Sequence, residues 1–351
     1  MHTMRIRLFI LGILALICGS GCNSASQGVL PTVSGSANEV LVVCDEPLWA
    51  SIAGDSIKSV LGTIIEGLPQ AEPSFDPVHR TFEGFRGAYN LHRNILIVKV
   101  DSTATNDIRV RRDVWAEPQI VLQASAKSRE ELLQVLGTQA QSLLDLLVES
   151  EKSRLATIYK KLKDQKIADA LASQFNISLD IPGGWVLDAR GKGYAWLTSE
   201  GRRVTQHLLI WEYPYTDELQ LSPGMLIAKR NEVAKQYVPG PNKDSYMTTE
   251  LTYYLPVFRE ETINNRYLAT IRGLWKMENY IMGGPFVQIS TVDTQRNRIV
   301  TVEGFVFAPS EEKRNYVRQI EAILYSLSFP EESKNPEATT PAKEAEVVEN
   351  L

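Results

Sequence analysis

Apolar residues along this chain repeat with two periods, one of two residues and one of three to four, and together they predict two α+β halves. Residues 40–44, Val-Leu-Val-Val-Cys, form an unbroken apolar run that predicts a central strand buried on both faces. Residues 49–65 follow with Trp49, Ile52, Ala53, Ile57, Val60, Leu61 and Ile64 at helical spacing, and Gly67, Pro69 and Pro73 stop them. Residues 95–98 and 119–125 predict two further strands. Ser128 with Glu131 three positions on reads as a capping box. The helix it opens carries Leu132, Leu136, Ala140, Leu143 and Leu147 along one stripe. The first half, residues 38–148, is therefore expected to be a βαββα-type unit of ferredoxin-like kind. Over residues 149–174 the helical spacing thins to Leu155, Ile158, Leu162, Ile167 and Leu171 among many charges, which predicts a connecting helix with a solvated face.

The second half, residues 175–330, reads mostly as strands: 177–181, 185–188, 194–198 and 204–213, then 266–277, 286–292 and 299–307. A helix over 223–237 interrupts them. Ser310 is expected to cap a last helix with Tyr316, Ile320, Leu324 and Leu327 on one side, Glu311 and Glu312 suiting its N-terminus. The expected fold class is α+β with two domains, the C-terminal one a largely antiparallel sheet with flanking helices.

The two ends differ from this interior. Arg5 and Arg7 precede the apolar run 8–17, and Gly19, Ser20 and Gly21 lead into Cys22. That is the layout of a secretory signal over residues 1–21, too short to span a bilayer, and a cysteine at the cleavage point predicts lipidation of Cys22. Residues 22–37, small and uncharged, read as a flexible tether. Residues 331–351 hold six glutamates against two lysines and no aromatic residue, and are expected to be a disordered acidic tail. No later apolar run approaches the length of a membrane-spanning helix.

Composition narrows the function classes. The formal charge is −5, and loss of the two signal arginines takes it to −7, which gives no electrostatic reason to hold nucleic acid. Once Cys18 leaves with the signal and Cys22 carries lipid, Cys44 is alone, so no internal disulfide forms. Its apolar surroundings predict a buried structural thiol. Gly54-Asp55-Ser56 is similar to the nucleophile block of small esterases, but Ser56 falls inside a predicted helix and no histidine follows His207. His79, His92 and His207 have no ligand spacing, so no metal site is expected, and no phosphate cradle or cofactor motif is present. The acidic pairs Glu260-Glu261 and Glu311-Glu312 read as solvated turns or helix starts. A glycosidase would need two carboxylates facing each other across a cleft.

Aromatic residues are more informative. Eleven of 13 tyrosines and four of six tryptophans follow residue 180. Strict alternation over 204–213 puts His207, Leu209, Trp211 and Tyr213 on one face, with Leu208, Ile210 and Glu212 on the other. Tyr194 and Trp196 share a face of the preceding strand, and Tyr267, Ile271 and Trp275 share one later. Two readings stay open: a core beneath the helices, or a groove for a peptide or glycan. The candidate binding face comprises Tyr194, Trp196, His207, Trp211, Tyr213 and Trp275, with Arg202, Arg203 and Arg272 nearby to add polar contacts.

Several blocks, among them NEVLVVCDEPLW (38–49), GLPQAEPSFD (67–76), HLLIWEYPY (207–215), MGGPFV (282–287) and VEGFVFAP (302–309), resemble an uncharacterised family of Bacteroidetes lipoproteins, a domain of unknown function. FNISLDIPGGW and IEAILYSLSF, at the two edges of the second half, are similar to the Mog1 and PsbP-like fold, whose members mostly bind partners. The first resemblance implies a signal-bearing envelope lipoprotein of a Gram-negative anaerobe, with no catalytic residues to carry over. The expectation is a non-catalytic binding or scaffold module, lipid-anchored on the periplasmic face of the outer membrane, with an envelope protein or glycan as partner. The alternatives are a glycan- or peptidoglycan-processing enzyme using carboxylates of the second half, and a surface glycan-binding accessory.

Overall fold

The structure, a computed structural model, describes residues 29–330. The signal, Cys22 and the acidic tail lie outside the described residues. From Thr32 onward the chain clusters as one compact unit.

In the first half, β1 (Glu39–Val43) is an interior strand, between β2 and β3, of a five-stranded sheet of order β2-β1-β3-β5-β4, with β2 Asp76–Arg80, β3 Asn94–Val100, β4 Asp107–Arg112 and β5 Ile120–Ala126. Val40, Leu41, Val42 and Val43 are fully buried, as an unbroken apolar run requires. The ferredoxin-like expectation is corrected: β1 runs parallel to β2 and β3, β3 runs parallel to β5, and only β4 is antiparallel. The sequence pattern missed β2, which does not alternate apolar with polar residues, and β4, where Ile108 and Val110 alternate with arginines over only six residues. Both are edge strands, where Pro77 in one and Arg109, Arg111 and Arg112 in the other discourage further pairing.

The helix expected over 49–65 is two helices, α1 (Glu46–Trp49) and α2 (Ile52–Leu61). Ser51 adopts an extended backbone between them and its hydroxyl accepts the Ala53 N–H at 3.3 Å, so it starts a new helix. Ser56 lies within α2, and Asp55 is paired to Lys58 at 3.0 Å. Cys44 is fully buried, and burial pushes its thiol up to about 12, the condition of an inert thiol.

Ser128 opens α3 by accepting the Glu131 N–H at 3.2 Å, and the helix then runs 33 residues, Arg129–Lys161. Its charged second part is not a solvated spacer. Glu151 and Arg154 are buried at the amino ends of β3 and β5. Asn94 Nδ2 donates to Glu151 Oε1 at 2.7 Å, and Arg154 Nη2 donates to the Arg93 carbonyl at 2.7 Å. Buried charges persist only when partnered in this way.

The second half begins with α4 (Gln165–Phe175), whose first N–H groups bond the Asp164 carboxylate. Its strands are β6 Val186–Gly191, β7 Tyr194–Glu200, β8 Thr205–Pro214, β9 Tyr246–Thr249, β10 Val257–Ile263, β11 Arg266–Glu278, β12 Tyr280–Asp293 and β13 Arg298–Phe307. They form an antiparallel sheet of order β10-β11-β12-β13-β8-β7-β6, with β9 alongside β11. Residues 177–181, expected as a strand, make only a single bridge, Ser178 to Ser328. Asn264 and Asn265, both at positive φ, turn β10 into β11.

Period-two alternation assigns the two faces. Leu208, Ile210, Val300, Val302 and Val306 pack against α4 and α6 (Arg314–Leu324), whereas Leu209, Trp211, Ile299 and Phe305 pack against α5 (Pro223–Tyr237). Gly304 lets α6 ride directly on β13, since a Cβ there would stand 2.1 Å from Ile320 Cγ2. Ser310 does not cap α6. It sits at φ 67°, and the helix starts at Arg314, where its N–H groups take a partner from the first half.

Candidate functional site

The strand register lays the predicted aromatic face across the sheet. One row reads Tyr194, Trp211, Thr301 and Ser290, the next Trp196, Leu209, Glu303 and Gln288, and the next Thr198, His207, Phe305 and Phe286. α5 covers the middle of this face. Trp211 and Trp275 are core residues, buried against Leu226 and Val233 of the helix and their neighbours. Tyr194 stacks on Tyr237 of α5 at 3.7 Å, and Lys229 Nζ lies 5.3 Å from the centre of the Tyr213 ring. Trp196 and His207 sit at the half-buried margin.

His207 stacks on Phe305 at 4.5 Å, and its Nδ1 accepts from Trp196 Nε1 at 3.2 Å. That bond fixes the neutral tautomer with the proton on Nε2. Burial lowers its pKa from 6.5 to about 4, with Asp188 opposing weakly. Because the unfolded chain binds more protons between these values, the contribution is complete above pH 6.5 and fades as pH falls toward 4. Acidification across that window is expected to remove about 2–3 kcal/mol of stability. His207→Phe should flatten the loss in denaturant melts run from pH 7 to 4; an unchanged slope would remove His207 as its source.

The three arginines expected near the aromatic face are elsewhere. Arg202 lies in the β7–β8 turn, where it lines a cleft of about 420 Å³ with Arg203, Glu200 and Glu311. Arg272 is corrected by alternation: Ile271 faces α5, so Arg272 points to the opposite face and pairs with Glu321 of α6.

Beneath α5 the aromatic face holds a charge pair that the sequence did not announce. Arg230 of α5 and Glu303 of β13 are both buried and joined by two bonds, Nε to Oε2 at 2.9 Å and Nη2 to Oε1 at 2.7 Å. Arg230 Nη1 also donates to Thr249 at 2.8 Å, and the guanidinium lies 3.8 Å from the centre of the Phe286 ring. Burial pushes the Glu303 carboxyl up, against the pull of Arg230.

The largest polar constellation lies where the two halves meet. Glu72, on the segment leading into β2, accepts the Lys313 N–H at 2.8 and 2.9 Å and the Arg314 N–H at 2.7 Å, a buried carboxylate on the N-terminus of α6. Arg314 pairs with Asp76, and Arg318 donates to Asn38 and to the Ser74 carbonyl. Arg259 pairs with Glu66. Two clefts flank the Arg272–Glu321 pair along one stripe of α3. One, of about 260 Å³, is lined by Gln141, Asp145, Arg259, Arg318 and neighbours. The other, of about 440 Å³, is lined by Glu149, Lys152, Glu261, Tyr325 and neighbours. In the second, Tyr325 donates toward both Glu261 oxygens at 2.9 Å. No sequence spacing marks this seam, because its members lie up to 280 positions apart. The only local trace was the run of charges ahead of α6. Among the described residues no cluster of metal-ligating side chains occurs.

Residues 33–160 match a family model described as domain of unknown function DUF8532, and residues 164–326 match one described as domain of unknown function DUF4837. No curated protein matches the sequence. Among solved structures, the Ran-binding protein Mog1p of Saccharomyces cerevisiae is similar at 8% identity, over 44% of this chain and 90% of that one, with a TM-score of 0.30. LpqN of Mycobacterium tuberculosis, described as involved in cell envelope biogenesis, is similar at 12% identity over 43% and 82%, TM-score 0.26. Human StAR-related lipid transfer protein 5 follows at 10% identity over 50% and 95%, TM-score 0.24. Similarity this weak carries no inference about ligand or activity.

Proposed function

We propose that this protein is a lipid-anchored envelope protein, held through Cys22 on the periplasmic face of the outer membrane, that works as a non-catalytic binding or scaffold module. The Bacteroidetes lipoprotein resemblance and the lipidation signal ending at Cys22 support the address. The engagement of the cleft carboxylates supports binding over catalysis. Glu261 is held by Tyr325 and Thr270, and Glu321 by Arg272. Glu303, the carboxyl with a raised pKa, is sealed beneath α5. General acid or base work needs an unengaged carboxyl within reach of a substrate: Glu261 and Glu321 are already engaged, and Glu303 is out of reach.

The anchor is tested by growing cells with labelled palmitate. Label is expected in the wild-type chain and absent after Cys22→Ala. Equal labelling of both would remove the proposed address. The second reading, a glycan- or peptidoglycan-processing enzyme, rests on Glu261 and Glu321 lining one cleft. Murein degradation by the purified full chain, with no companion recovered from solubilised envelopes, would favour it. The third, surface display as a glycan-binding accessory, predicts loss of the protein when intact cells are shaved with protease.

A further inference from the structure

One loop of the second half displays apolar side chains that the fold leaves half to almost fully open. Leu251, Tyr253 and Leu255 are 47%, 91% and 72% exposed, at alternate positions of the segment joining β9 to β10. The display is built. Glu250 accepts the N–H groups of Thr252 and Tyr253 and pairs with Lys276 at 3.2 Å. The Tyr253 N–H first, with the Thr252 N–H and Lys276, holds that carboxyl down to about 2. Tyr254 points the other way, and its hydroxyl accepts the Gly67 N–H at 2.6 Å. Residues 251–256, Leu-Thr-Tyr-Tyr-Leu-Pro, carry no charge, and the nearest flanking arginine, Arg259, is already paired with Glu66.

The position of this loop decides what it meets. Gly67 belongs to the segment that enters the amino end of β2. Thr32 bridges Glu117 and Ser34 bridges His92, at the amino ends of β5 and β3. The amino-terminal chain and the apolar loop therefore meet the fold at the same end of the parallel strands. Residues 23–31 separate Cys22 from Thr32, a reach of at most about 35 Å.

We propose that the 251–256 loop is a second contact with the lipid surface, seating Leu251, Tyr253 and Leu255 in the interface of the bilayer that holds Cys22. The proposal rests on the anchored reading of the protein. An uncharged, preordered loop pays neither desolvation of charge nor ordering on insertion, and tyrosine favours the headgroup level. Binding of this kind scales with the apolar area buried.

The test uses the full-length protein, reconstituted from detergent into phosphatidylethanolamine–phosphatidylglycerol vesicles carrying nitroxide-labelled acyl chains. Tyr253→Cys bears an environment-sensitive fluorophore, Cys44 being buried. Ile52→Cys, exposed at the opposite end of the parallel strands, serves as control. Quenching several-fold stronger at 253 than at 52 is expected. Equal quenching in vesicle-bound protein overturns the proposal, as does a probe at 253 shielded only when an envelope protein is added. A second arm separates this outcome from failure of the anchor. In Cys22→Ala protein beginning at residue 22, so that the apolar run 8–17 is absent, Leu251→Ser with Leu255→Ser should lower vesicle partitioning about tenfold. Partitioning unchanged by the two serines would overturn the loop contact whether or not Cys22 is acylated.

Discussion

Cutting Glu303 back to alanine is expected to destabilise the protein by about 3–5 kcal/mol, the largest effect of any single side chain described above. The magnitude follows from what stays behind. Arg230 would keep its place beneath α5 with Thr249 and Phe286 as partners, an uncompensated cation in an interior closed to water. Removing both charges together, as Arg230→Met with Glu303→Leu, should recover most of the loss, because two apolar side chains of similar size leave nothing unpaired. Chemical denaturation of the single and double variants measures this directly. Additive losses would mean that the two groups do not act as a pair.

Replacing Glu72 by alanine is expected to cost about 2–4 kcal/mol and to loosen the junction between the halves. Three N–H contacts at the start of α6 converge on that one carboxylate, and the helix dipole adds to its attraction. Glu72→Gln keeps an acceptor oxygen but loses the charge, so it should fall between alanine and wild type. Hydrogen exchange at Lys313 and Arg314 provides the local readout. Faster exchange there, with β1 and β3 unchanged, is the expected pattern, whereas uniform acceleration would point to general destabilisation instead.

The strands and helices that cover a core were legible in the sequence because burial imposes a period on them. β1, β8, β11, β13, α5 and the first stripe of α3 all follow from where their apolar residues fall. β2 and β4 did not, since edge strands obey the opposite demand and present charge or proline. α3 continued past the point where its stripe faded, because Glu151 and Arg154 are polar to a sequence reader and buried in the fold. The aromatic rows were placed on the right faces by alternation. What alternation could not say was that a helix carrying its own arginine lies over them. The seam was invisible for a different reason: a carboxylate at position 72 and backbone N–H groups at 313 and 314 meet only once both halves have folded. Ser310 looked like the cap because it is local, and the real acceptor is not.

The first residues to join the fold do so as a short parallel strip, Thr32 beside Glu117 and Ser34 beside His92, before the chain turns into β1. Traction arriving from the amino-terminal side would therefore load those hydrogen bonds lengthwise, sliding neighbouring strands against one another instead of peeling them apart one rung at a time. The strain would then pass through Asn38, which Arg318 of α6 holds, to a strand gripped on both flanks.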